Sequence, residues 1–113
     1  MSSRAYLAFE VPPELRFRTR RVIDAVRESD EPKTQADELI EVVVELTRTG
    51  LHSYFLLPLE RAGVGSMTFG SAKLGVSAAG RSLPILVRRV LGSLSTKQLV
   101  EIVDYLDETL IER

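Results

Sequence analysis

The side chains best able to do chemistry in this 113-residue chain are few: one histidine, His52, with Ser53 beside it, and no cysteine. A serine nucleophile needs a base within hydrogen-bond reach and an acid to orient that base. Neighbours in sequence do not face each other on a helix, so His52 and Ser53 do not form such a pair there. A di-metal centre in a helical bundle needs Glu-x-x-His pairs, whereas Thr49 stands three residues before His52. Without cysteine there is no thiolate nucleophile, thiolate metal site or disulfide. The run Gly65–Ser71 with Lys73 nearby is glycine-rich but lacks the Gly-Lys-Ser/Thr order of a phosphate loop. These residues assign no catalytic, cofactor-binding or metal-ligating role, and a non-enzymatic protein without a cofactor is the expectation.

Arginine offers a different chemistry, the binding of anions. Residues 16 to 27 hold five Arg against one Asp, and residues 31 to 60 hold six acids against Lys33 and Arg48. The sign then reverses: residues 61 to 100 carry six cations and no acid, and residues 101 to 113 carry five acids and one Arg. Charge that alternates by element fits oppositely charged helices lying side by side, within one chain or across a dimer. The competing use is an open basic surface for a polyanion such as nucleic acid or an anionic membrane, made by Arg16, Arg18, Arg20, Arg21, Arg81, Arg88, Arg89 and Lys97. The net charge of −1 counts against it, because a dedicated nucleic-acid binder usually has a basic surplus. Leu83 to Leu106 also resembles a helix-turn-helix with Gly92 in the turn, but Glu101, Asp104, Asp107 and Glu108 would face phosphates badly.

The elements that must position these groups read as helices. Apolar residues make up 44% of the chain and charged residues 27%, an ordinary globular balance for one domain over residues 1–113. Leu7, Phe9 and Val11, with Tyr6, have no helical period and suit a short strand or an extended arm. Pro12-Pro13 then starts a helix to about Ser29, with Leu15, Thr19, Val22, Ile23 and Val26 on one face. Asp30-Glu31-Pro32 stops it, and Thr34 with Asp37 resembles a capping box for the next. Ala36, Leu39, Ile40, Val43, Leu46 and Thr47 continue a helical face, although residues 40–46 would also serve as an alternating strand. Gly50 either ends this helix or is a packing point within it, and Pro58 either kinks or terminates it.

From Ala62 to Ser82 small residues dominate. Ser66 and Gly70 fall four apart, as do Ser71, Gly75 and Ala79, so on a helix they make a flat stripe that another backbone can approach closely. Glycine opposes helix by about 1 kcal/mol relative to alanine, so this helix needs neighbours; the alternative is a long glycine-rich loop, uncommon in a compact domain. Pro84 begins or kinks a further stretch, Ile85–Leu91, that Gly92 ends. Ser95 with Gln98 makes a capping box, and Leu99, Ile102, Val103, Leu106 and Leu110 follow at helical spacing. Tyr54, Phe55, Leu56, Leu57, Met67 and Phe69 are the candidates to line an apolar pocket.

The expected fold is therefore all-α, a small bundle of four to five helices, with the opening residues as a short extended arm. The expected role is a helical interaction or scaffolding protein acting as a homo-oligomer, most simply a homodimer, with the 66–79 stripe at the contact. Polyanion binding and carriage of an apolar small ligand are the two other readings. No apolar stretch approaches the roughly 20 residues of a membrane-spanning helix, no secretion-signal pattern opens the chain, and the absence of cysteine suits the cytoplasm.

Overall fold

The computed structural model describes Ala5 and residues 7–111. Tyr6, expected in the opening extended segment, lies outside them. Five α-helices occur in chain order: α1 (Pro13–Glu28), α2 (Ala36–Leu51), α3 (Leu57–Arg61), α4 (Ser66–Gly92) and α5 (Thr96–Thr109). A π turn, His52–Leu56, joins α2 to α3 without a break, so the helices make four rods. The protein is an all-α bundle, and no strand is present among the described residues. Residues 7–12 have no regular secondary structure and form the extended arm.

In α1 the residues expected on its inner face, Leu15, Thr19, Val22, Ile23 and Val26, are the ones buried. The Thr19 hydroxyl is the single polar group among them and donates to the Leu15 carbonyl at 2.7 Å, so its burial leaves nothing unpaired. The expected capping box at Thr34 and Asp37 does not form. Pro32 opens a 3₁₀ turn, Pro32–Gln35, that takes Thr34 into it, and the Thr34 hydroxyl donates backwards to the Glu31 carbonyl at 2.7 Å. Asp37 instead accepts from Arg88 at 2.9 Å, and α2 starts at Ala36 without a side-chain cap.

Residues 40–46 are helical, and α2 is buried on a wider arc than one stripe because it packs against both α1 and α4. Its buried residues are Leu39, Ile40, Val42 and Val44, whereas Val43 and Leu46 are half-buried and Thr47 is exposed. Neither Gly50 nor Pro58 ends this rod. Proline lacks an N–H and its ring clashes with the carbonyl four residues back in a regular helix; here the π turn precedes it, with the Leu57 N–H reaching the His52 carbonyl five residues back. Gly63, at φ 71°, makes the turn after α3 with a backbone that favours glycine. The Ser95–Gln98 capping box is present in both halves, 3.2 Å and 2.9 Å.

The core is shared by α1, α2, α5 and the second half of α4, through Val22, Ile23, Leu39, Val42, Val87, Leu99 and Val103 among others. Charge fastens the same elements. Arg18 on α1 reaches Glu38 and Glu41 on α2 at 3.4 and 3.3 Å, and on the other side Arg20 and Arg27 reach Asp107 on α5 at 2.6 and 2.9 Å. Arg27 also holds Asp104 at 2.8 Å. The expected pairing of basic with acidic helices is thus realised inside one chain.

Hydrogen bonds from Arg20 and then Arg27 hold the Asp107 carboxyl below its ordinary value. A lowered folded-state value means that the clamp stabilises the fold above the unfolded value of about 3.9 and that this contribution is lost as pH falls through the folded one. Asp107→Asn is expected to lower the thermal midpoint at pH 7, by a margin that shrinks as pH falls through the lowered folded value; circular dichroism melts from neutral into the acid range check this.

Candidate interaction surface

The first half of α4, residues 66–79, contributes no buried residue; the buried positions of this helix are Gly80, Val87 and Leu91. At 1.5 Å per residue it is an arm about 21 Å long. One side of it, Phe69, Ala72 and Val76, is half-buried toward the π turn, and Lys73 lies over the Phe69 ring at 5.9 Å. The opposite side is open. There Met67, Ser71, Leu74, Ala78, Arg81 and Ile85 repeat at alternating spacings of four and three, the period that holds one helix face against another. Met67, Leu74 and Ile85 are 86%, 73% and 65% exposed.

The small-residue stripe flanks this face. Ser66, Ser71, Gly75 and Ala79 are exposed and Gly70 is half-buried, and an added Cβ at Gly70 or Gly75 would meet nothing within 4 Å. At Gly70 and Gly75 the stripe therefore has room for a further side chain or backbone, and Met67, Leu74 and Ile85 are exposed beside it.

Where the arm leaves the body, Pro84 sits inside α4. Its missing N–H deprives the Gly80 carbonyl of the donor that a regular helix would supply. Arg48 on α2 supplies one instead, its Nη2 donating to Gly80 O at 3.0 Å while Nη1 bonds Glu45 at 2.8 Å. Gly80 is buried, and a Cβ there would lie 3.5 Å from Arg48 Nε. The glycine gives the guanidinium room.

A second apolar feature lies along α2. Phe9 of the extended arm, Val43, Leu46, Thr47, Gly50, Leu51, Tyr54, Phe55 and Leu106 line an open groove of about 680 Å³. Gly50 is the packing point rather than an end: a Cβ there would lie 3.4 Å from the Phe9 ring. Phe9 meets Tyr54 edge-on at 5.8 Å between ring centres. Of the residues expected at a pocket, Tyr54 and Phe55 line this groove. Leu56 is buried, and Leu57, Met67 and Phe69 are not among its lining residues.

Of the expected anion-binding residues, Arg18 and Arg88 line one pocket, together with Glu41 and Glu45. Arg18, Arg20 and Arg88 are tied to carboxylates, and Arg21 lies 4.0 Å from Glu38. Arg16, Arg81, Arg89 and Lys97 have no carboxylate partner among the described residues, and they are distributed over α1, α4 and α5. The turn at Gly92 does join two helices, but α5 packs on α1, so the pair is not the self-packed unit of a helix-turn-helix. Gly65–Ser71 runs into the first turns of α4 rather than forming a loop. His52 is exposed on the π turn, and no group of three or more potential metal ligands occurs among the described residues. No helix among them is long and apolar enough to cross a membrane. No family model, curated protein or solved structure matches the chain.

Arg48→Met keeps an unbranched, largely apolar stem and removes the guanidinium donors. It is expected to cost about 1–3 kcal/mol, the range for a polar group stripped of its partner, with the loss read by chemical denaturation. Amide exchange in α4 around Gly80 should accelerate more than in α1, and Arg48→Lys should recover part of both effects.

Proposed function

We propose that the protein is a non-enzymatic helical interaction module that acts as a homo-oligomer, most simply a dimer, with the outward side of α4 as its contact surface. The observation that carries this reading is the arm itself: a helix half with no buried residue, bearing exposed Met67 and Leu74, with Ile85 extending the same side. Covering a side chain of that kind is worth roughly 1.5–3 kcal/mol, and contiguous apolar surface of this sort marks interaction sites. The small residues beside the seam allow a second helix to approach without displacing anything.

The reading predicts a solution mass near twice 12.6 kDa by light scattering, retained in high salt because the contact is apolar rather than ionic. A monomer at both low and high salt overturns it. Gly75→Leu and Ala79→Leu separate assembly from folding. Gly75 has open space around it and Ala79 is exposed, so neither change clashes within the chain, and removing Gly75 from a helix interior is worth up to about 1 kcal/mol of helix stability. The double variant should melt no lower than the parent at dilute concentration and should dissociate more readily; unchanged assembly would exclude the stripe from the contact.

A further inference from the structure

The chain presents 8262 Å² of accessible surface, against about 6,200 Å² for a compact monomer of its mass. Its radius of gyration is 16.2 Å, against about 13 Å for a compact domain of this length. Leu7 of the extended segment and Met67 and Leu74 of the α4 arm are its most exposed large apolar side chains among the described residues. The excess surface of two copies amounts to roughly 4,000 Å², within the range buried by obligate homodimers. A second copy of this chain is thus an occupant of the right size for what it leaves uncovered.

We infer that the α4 arm of one copy lies in the α2 groove of a second, and that the exchange is reciprocal; this rests on the self-association proposed above and names its receptor. A helix laid into an open apolar groove anchors by side chains at i, i+3 or i+4, and i+7. Met67, Ser71 and Leu74 supply that spacing, large, small, large, against Leu46, Gly50, Leu51 and the rings of Phe9, Tyr54 and Phe55. A small apolar ligand fits less well, because such ligands are bound with most of their surface enclosed, and this groove is open along its length.

Charge selects groove over arm. Residues 61 to 100 contain six cations and no acid, so with a whole-chain charge of −1 the remainder carries −7. Two α4 arms laid together bring like charges into contact, with Arg81 in the seam itself. None of the groove's lining residues is charged, so it lacks the like charge that a second α4 arm would present. Each copy owns one arm and one groove, so a two-fold exchange fills both grooves and closes the assembly.

Because the chain has no cysteine, single cysteines report contacts without background. Full-length Leu74→Cys and Thr47→Cys chains, both substituted at exposed positions and distinguishable by mass tag, are mixed, allowed to exchange subunits and oxidised gently. The expected product is chiefly the mixed disulfide, in a preparation whose mass before oxidation is that of a dimer. A dimer that forms chiefly the Leu74→Cys self-disulfide, or neither disulfide, overturns the groove placement and leaves self-association standing. A monomer by light scattering with no disulfide product overturns both.

Discussion

The bond from Arg48 to the Gly80 carbonyl is the constraint on which the outer part of the molecule depends. A proline in a helix interior removes one hydrogen bond and presses on the carbonyl four residues back. Pro84 does so at the point where α4 passes from the core to the arm, and without a replacement donor that carbonyl would be buried and unpaired. The guanidinium reaches it from α2 at 3.0 Å, with Glu45 holding the same side chain at 2.8 Å. A proline that would elsewhere be a point of weakness is thus fastened to the neighbouring helix by a side chain on α2, while Phe69, Ala72 and Val76 rest the arm toward the π turn.

Pro58 presents the same difficulty on the other rod and is met differently. The π turn ahead of it, His52–Leu56, lets the chain continue into α3. A π turn carries an extra residue and rotates the register of the helix beyond it. Tyr54, four residues after Gly50, continues the line of Val43 and Gly50 into the π turn, and with Phe55 it carries the groove past the end of α2.

Much of the body was legible in the residues. The inner face of α1, the Ser95–Gln98 cap and the pairing of basic with acidic helices all derive from spacing and charge sign, which are local properties. The face of α2 was harder, because Val43, Leu46 and Thr47 have the period of a core stripe, yet Val43 and Leu46 only border the core and Thr47 is exposed; only the placement of α1 and α4 on either flank decides which apolar residues of α2 are fully covered. The small-residue stripe drew attention to α4 at spacings of four, and so obscured the alternating four-and-three repeat of Met67, Ser71, Leu74, Ala78, Arg81 and Ile85 beside it. The Thr34 cap failed because Pro32 tightened the turn before it. The Arg48 bond had a partial signal: counting four back from Pro84 identifies Gly80 as the carbonyl in need of a donor, but nothing in the sequence says that the donor comes from α2.

The alternating charge divides into two kinds once the elements are in place. The arginines of α1 are consumed structurally, with acids of α2 on one side and of α5 on the other. In α4 only Arg88 is tied back to the body, through Asp37, while Lys73, Arg81 and Arg89 have no carboxylate partner among the described residues. A helix that is uniformly positive and also carries an exposed apolar seam repels its own kind while remaining adhesive to other apolar surfaces. Specificity is a difference between affinities, and like charge across a wrong pairing contributes to it as much as contact in the right one. In the proposed exchange, the absence of acids from residues 61 to 100 counts against a second α4 as the partner surface.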